Sequence, residues 1–495
     1  MQTQLSRGIP LLGRFGQPFL SWLLAGVLGV ALGAISLIIS PLLALGLVVV
    51  AGIGLYLLPR PKVMMYLLVM AIPLTSGMPR GGLIPMFVPN EIVLVVAAGV
   101  LFLSLGIWQR RRVFPGTVLL ATAILIFGTM LIPLLVYYVR EYPMSFNAIF
   151  SFVAPLQFLF LIWVFSHVPD NEEERHRVVQ LMLLMSSIVA LVALLQAVRF
   201  PGIHEFLATF YSGGGGHAAA AERYSRVTSL MGAWNTLGTF LMVNLLLVVS
   251  MQSYKRSRLY AINTWSAAGL SLAALLASGS FASIGGLVFG YIIIKMFDPR
   301  GLKTAVYALL LGAVALIPLW PIVSNRIEYQ FRTGELLPET FTYRLDVWTE
   351  IYIPLLLDEP LWGVSPTTEN VSFAWAESHY IYLWFRTGLI SLISHLLWVF
   401  LLLGWLYKVI RSQTDELTRS IAITSFSLLC VLSVMGFTNE VFTFSGVIDN
   451  LWIFLGLIIN SRRDWWLPEP VQPLTRPIEQ PGQLGAMVNS RSGNR

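Results

Sequence analysis

The residues able to do chemistry in this 495-residue chain crowd into two polar segments. The larger, 325–383, holds Arg344, Asp346, Glu350, Asp358, Glu359, Glu369, Glu377 and His379. A planar guanidinium such as Arg344 grips phosphate through paired N–H groups, where a lysine acts as a point charge. An imidazole such as His379 accepts a proton near neutrality; a lone histidine at the mouth of an apolar run is equally an ordinary structural residue. No second His or Cys stands at ligand spacing, and neither H-E-x-x-H nor G-x-S-x-G occurs, so no zinc site and no serine nucleophile is expected. No cofactor is expected either. The smaller segment, near 200–227, contains Ser212-Gly213-Gly214-Gly215-Gly216-His217. Phosphate-cradling glycine loops need a preceding strand and a fixed spacing, so this run reads as a flexible linker.

The elements that must position these residues are membrane spans. The chain is 56% hydrophobic and 12% charged, with a mean hydropathy of +0.74, against about 25% charged residues in a soluble protein. A soluble globular enzyme is thereby excluded. Apolar runs near 18–40, 41–59, 62–79, 91–108, 116–139, 147–167, 178–199, 228–250, 259–278, 280–297, 303–324, 384–407, 417–437 and 441–460 are each long enough to approach or cross a hydrocarbon core of roughly 30 Å. The predicted fold is an all-α polytopic membrane protein with 12–14 transmembrane helices and one large outer loop domain containing short helices. The weakest separations are Ser40-Pro41 and Ser278-Gly279-Ser280, and 62–79 is short enough to be re-entrant. The single cysteine, Cys430, lies inside an apolar run, so no intramolecular disulfide forms.

Positive charge sets the orientation. With the N-terminus (1–17) in the cytoplasm, 23 of the 32 basic residues fall on the cytoplasmic side, including all five lysines. Every basic residue on the outer side is an arginine: Arg80, Arg140, Arg199, Arg223, Arg226, Arg326, Arg332, Arg344 and Arg386. That bias is compatible with chance in an arginine-rich chain, and also with phosphate binding. The net charge of +7 is accounted for by this placement and does not call for nucleic acid. The expected organisation is a cytoplasmic N-terminus at 1–17 acting as an uncleaved signal anchor, spans over 18–324, the large outer loop over 325–383, spans over 384–460, and a cytoplasmic tail at 461–495. The tail is rich in Pro, Gln, Gly and Ser and is expected to be disordered. Within the large loop, Val347, Trp348, Ile351, Tyr352 and Leu355 share one face of a helix. Such a helix would lie along the membrane surface with Arg344, Asp346 and Glu350 turned to water or a cleft.

Tyr343-Arg344-Leu345-Asp346-Val347-Trp348, followed by Asp358-Glu359-Pro360-Leu361-Trp362-Gly363, resembles the signature of the O-antigen ligase and polymerase superfamily. Ser378-His379-Tyr380 and Arg386-Thr387-Gly388 are similar to that family's His-opened span with its glycine. Upstream, Arg226-Val227-Thr228-Ser229-Leu230-Met231-Gly232-Ala233-Trp234-Asn235-Thr236-Leu237-Gly238 resembles its span entrance. The motifs run from about 220 to 460, and the span layout extends the likeness to the whole chain. Three positions depart from the pattern. Tyr380 stands where an Asn often follows the His, Arg386 stands where an acidic residue is common, and Ser278-Gly279-Ser280-Phe281-Ala282-Ser283 lacks the family's arginine.

The resemblance implies a metal-independent glycosyltransferase of lipopolysaccharide or other cell-surface polysaccharide biosynthesis in the bacterial inner membrane, with both termini cytoplasmic and the active site facing the periplasm. Its partners would be an undecaprenyl-pyrophosphate-linked glycan donor, a lipid or glycan acceptor such as lipid A-core, and membrane lipids. Arg344 and Arg226 would steady the departing pyrophosphate, and His379 would serve as general base. Alternatively, His379 binds pyrophosphate and Asp346 or Glu377 takes the proton. Arg386, Asp346, Glu377 and Trp348 would bind pyrophosphate or glycan, and apolar spans would hold the polyprenyl tail. A structural pairing of Arg344 with Asp346 or Glu350 is the competing reading of that residue. Ligase is favoured over polymerase because the motif cluster sits in one late loop. A small-anion transporter is the alternative of another class.

Overall fold

The computed structural model describes residues 60–79, 116–142, 156–211, 226–254, 258–297, 339–364, 376–412 and 415–461, with a few isolated positions between them. The described helices belong to one compact unit, Gly54–Arg110 with Phe114–Trp465. The predicted spans near 18–40, 41–59, 91–108 and 303–324 lie outside the described residues apart from isolated helical positions. So do the N-terminal segment, the glycine run with His217, and the tail beyond 461.

Described secondary structure is helical throughout, with no strand. Hydrocarbon offers backbone groups no partner, and a helix satisfies them within one segment. In chain order the helices are α1 (Pro61–Thr75), α2 (Gly116–Val139), α3 (Leu156–His167), α4 (Glu172–Ala197), α5 (Ile203–Tyr211), α6 (Trp234–Ser250), α7 (Arg258–Ser278), α8 (Phe281–Phe297), α9 (Glu339–Val347), α10 (Ile353–Asp358), α11 (His379–Ser412), α12 (Glu416–Met435) and α13 (Val447–Ser461). Five of them, α2, α4, α7, α11 and α12, are long and apolar enough to cross a membrane. Another five apolar helices, α1, α3, α6, α8 and α13, are shorter. The chain is an all-α polytopic membrane protein, and each of the ten apolar helices falls on a predicted span.

Small residues allow these helices to approach one another. A Cβ on Gly286 would stand 2.7 Å from Met242 Sδ, and one on Gly290 would stand 2.8 Å from Leu246 Cδ2, so α8 lies directly on α6. A Cβ on Gly456 would stand 2.7 Å from Phe165 Cβ, closing α13 on α3. Helix α2 carries a π-turn at Phe127–Leu131 where it meets α11: Ser391 donates its hydroxyl to the Gly128 carbonyl. The weakly separated pair at 278–280 is two helices, divided at Gly279 with φ +61°.

Charged groups gather at the two ends of this bundle. At one end, Lys62 bridges Asp170 at 2.6 Å and Glu174 at 2.5 Å. There too Arg175 meets Asp415 at 3.0 Å, and Asn460 donates to the carbonyls of Ser166 and Pro169. Asn171 caps α4 by accepting from Glu174 N, with Glu172, Glu173 and Glu174 in the first turn. The opposite end carries Arg140, Arg226, Arg344, Glu377, Arg386 and Glu440, joined by the contacts described next.

Candidate functional site

The site is built around a break in α11. Gly388 has φ 76° and ψ 179°, a conformation closed to residues with a side chain. A Cβ there would lie 1.9 Å from the Leu361 carbonyl oxygen. Gly363, at φ +75°, would place a Cβ 2.6 Å from Gly388 N. The two glycines let the Pro360–Gly363 turn lie against the break. The turn is fastened there by Leu389 N to Pro360 O at 3.0 Å, Val364 N to Phe385 O at 2.7 Å and Trp384 Nε1 to Pro360 O at 2.9 Å. From the α2 side, Arg140 reaches Glu359 at 2.7 Å and the Val364 carbonyl at 3.0 Å. The acidic-Pro-Leu-x-Gly turn and the downstream glycine are thus two halves of one joint.

Upstream of that turn, α9 passes through a π-turn at Trp348–Tyr352 into α10. Tyr352, Leu356, Ala376 and Phe385 form a small core flanked by Val347, Trp348, Ile351 and Leu355. The five residues expected on one face therefore do share it. Tyr352 stacks edge-on to Phe385 with centroids 5.1 Å apart, which ties α9 and α10 to α11. The π-turn advances the chain within this run, yet the apolar face stays directed at the core.

Across that core the 376–379 strand of chain is held from three sides. Arg344 donates from Nε at 2.8 Å and Nη2 at 2.5 Å, both to Oε2 of Glu377. Trp348 Nε1 donates to the Ala376 carbonyl at 2.7 Å, and Ala376 N donates to Glu440 Oε1 at 3.0 Å. His379 N donates to Gly436 O at 2.8 Å. Glu377 itself sits at φ 52°, left-handed backbone that a non-glycine residue occupies only when its surroundings hold it. Here Arg344 and Glu440 supply that hold.

Glu440 lies in the turn between α12 and α13 and is only 7% exposed. Burial pushes its carboxyl up to about 7, with the Glu377 charge adding to the rise; the Ala376 and Glu377 backbone donors and the Arg386 charge act against it. Arg386 in turn donates to the Tyr382 hydroxyl, its guanidinium 5.1 Å from that ring's centroid. On the other flank Arg226 is buried over the Trp234 ring at 4.5 Å, and Asn235 donates to Asn439, the neighbour of Glu440, at 3.2 Å.

His379 is the first residue of α11, so this span opens five residues ahead of the predicted Trp384. Its ring is 3% exposed, in a box of His395 (4.8 Å), Phe442 (4.9 Å) and Tyr382 (6.1 Å). Neither ring nitrogen has a hydrogen-bond partner among the described residues.

Of the predicted site residues, Arg344, Glu377, Trp348, Arg386 and His379 are thus drawn into one connected layer, with Arg226 reaching it through the Trp234–Asn235–Asn439 link. Asp346 is exposed and takes no part in that layer. Arg344 pairs with Glu377 across the fold, not with Asp346 or Glu350 on its own helix. Trp348 has its indole N–H committed to the Ala376 carbonyl and its ring packed in the small core, so it supports the site instead of offering a free stacking face. Glu440, Tyr382 and His395 were missed by motif reasoning. The signal for Glu440 was a carboxylate at the very mouth of an apolar run, where a charge is costly unless it is used. Among the described residues, no three His, Cys, Asp or Glu side chains converge as a metal site would require. The chain matches no known protein-family profile and no curated protein.

Proposed function

We propose that this protein is an O-antigen ligase-like membrane glycosyltransferase, moving a glycan from undecaprenyl pyrophosphate to an acceptor hydroxyl. The observation that carries the reading is the gathering of Arg344, Arg386, Glu377, Glu440 and His379 in one layer at a single end of an apolar helix bundle. Such a layer meets a lipid-borne pyrophosphate where the polyprenyl chain would leave its head group. In the reaction, the acceptor oxygen bonds to the anomeric carbon as the bond from that carbon to the pyrophosphate oxygen breaks. The negative charge developing on the pyrophosphate falls to Arg344 and Arg386, with Arg226 as the outer contact.

The acceptor's proton goes to His379 or to Glu440. The buried His379 serves only when the acceptor parts Tyr382 from it. Glu440, titrating near neutrality, has the affinity a general base needs at physiological pH. The basic-residue asymmetry supports placing this end toward the periplasm of the bacterial inner membrane.

The deciding experiment measures the glycan left on undecaprenyl pyrophosphate in a strain lacking the protein. Accumulated long chains are the expected result and signify failed attachment. Accumulated single repeats would instead make it a polymerase. An unchanged carrier pool would overturn both and favour transport, for which His395, inside α11 and 4.8 Å from the ring of His379, is the supporting feature.

A further inference from the structure

A cavity of about 400 Å³ opens at the Lys62 end of the bundle, opposite the layer described above. Its walls come from α4, the short 3₁₀ turn after α6, and α7. The volume lies within the ~300–1,000 Å³ of ligand pockets and has room for one substituted ring.

Its lining is polar and aromatic but carries no Lys, Arg, Asp or Glu. The carboxamide of Gln180 is oriented by Asn263, which donates to its Oε1 at 2.8 Å. This turns Gln180 Nε2 toward His176 and Thr264, both at 3.5 Å, the outer limit of a hydrogen bond. Gln252 also lines this space, and its Oε1 is buried with no hydrogen-bond partner among the described residues. The cavity thus offers a weakly used donor and an unused acceptor, each of which is costly to bury without a partner.

The aromatic walls are equally ordered. The His176 ring packs between Tyr254 (5.0 Å) and Tyr260 (4.4 Å), and the two phenol groups are anchored by donating to Glu172 at 2.6 Å and Glu173 at 2.9 Å. Arg177 pairs with Glu173 at 3.6 Å, so the charge behind the tyrosines is balanced and the cavity carries neither sign strongly. Trp265 stands exposed at the rim, beside the exposed Leu259 and Ile262 of α7, the composition of a membrane interface.

We propose that this cavity binds a neutral polyhydroxylated group, a sugar ring borne by a lipid or free in solution. A hydroxyl both donates and accepts, which answers Gln252 Oε1 and Gln180 Nε2 together, while the tyrosine and tryptophan faces take the apolar face of the ring. The inference stands independently of the transferase reading, because it concerns the opposite end of the bundle and is read by binding alone.

The test uses the full-length protein in phosphatidylcholine nanodiscs, with native mass spectrometry counting retained glucosyl-diacylglycerol against diacylglycerol. Preferential retention of the glucosyl lipid is expected, weakened roughly tenfold by Gln252→Leu and by Trp265→Ala. Both variants keep the fold, since the first alters an acceptor without a partner and the second an exposed ring. Displacement by millimolar methyl glucoside would show that free sugar suffices, and resistance to it that the lipid-borne form is required. Equal retention of the two lipids without methyl glucoside binding, or affinity unchanged in both variants, would overturn the proposal.

Discussion

Replacing Glu440 with glutamine should make the protein more stable at neutral and alkaline pH. The structure raises this carboxyl from 4.5 to about 7, chiefly through burial in the turn between α12 and α13. The folded state therefore holds the proton more tightly than the unfolded chain does. Stability from this group is full below about pH 4.5, falls as pH climbs toward 7, and is lost above that. At 1.36 kcal/mol per pH unit the loss amounts to about 3 kcal/mol. Glutamine keeps an oxygen to accept from Ala376 N but cannot ionise, so Glu440→Gln should match the wild type near pH 4.5 and exceed it by about 3 kcal/mol at pH 8. Thermal unfolding in nanodiscs across pH 4.5–8.5, followed by tryptophan fluorescence, would show the two curves diverging. Parallel curves, or a glutamine variant less stable at pH 8, would refute the account of Glu440 as a strained carboxylate. If Glu440 also takes the acceptor's proton, the stabilised variant should transfer poorly, an expected trade at a working site.

Three further perturbations test separate parts of the structure. Arg344→Ala and His379→Ala should abolish glycan transfer while the protein remains in the membrane, and Arg344→Lys should recover little, because a lysine cannot place two N–H groups on Glu377; wild-type transfer in both alanine variants would remove these residues from the site. Gly388→Ala forces a side chain into left-handed backbone 1.9 Å from the Leu361 carbonyl, a cost of at least ~1–3 kcal/mol from the backbone alone; faster chymotryptic cleavage after Trp362 would report the freed turn, and an unchanged digestion pattern would count against the joint. Arg175→Ala breaks a largely buried pair with Asp415 and should cost about 3 kcal/mol, whereas Asp170→Ala, at an exposed partner of Lys62, should cost under about 1 kcal/mol, both read by the same unfolding assay.

What could be read in the sequence follows the range of the forces involved. Apolar runs are a local signal with one outcome in hydrocarbon, and the ten apolar helices fall where those runs predicted, down to the division at Gly279. The shared face of Val347, Trp348, Ile351, Tyr352 and Leu355 was legible for the same reason, since helical spacing alone sets it. Partners across the fold were not legible. Arg344 has Asp346 and Glu350 on its own helix, yet it bonds to Glu377, 33 positions away, because the Pro360–Gly363 turn docks on Gly388 and swings the 376–379 segment across. No spacing rule contains that joint; its trace in the sequence is two glycines whose need for positive φ shows only once the backbone is in place.

The same long-range construction sets surroundings for the site's ionisable groups that sequence spacing does not show. His379 stands at a span mouth in the sequence, open to a catalytic or a structural role, and Phe442 and His395, 63 and 16 positions further on, enclose it. Glu440, which no motif singles out, is buried in the turn between α12 and α13, and that burial raises its proton affinity toward neutrality against the opposing Ala376 N–H bond. His379 and Glu440 are thus both withdrawn from solvent, and both touch the one segment 376–379, His379 as its last residue and Glu440 through the Ala376 N–H. The arrangement makes a specific demand of any transfer mechanism here: Ser378→Pro, which would redirect this segment and remove the backbone N–H of residue 378 while leaving Arg344, Glu377, His379 and Glu440 in the sequence, should abolish transfer as completely as losing one of those side chains. Transfer preserved in that variant would show that the four groups act without the geometry that joins them.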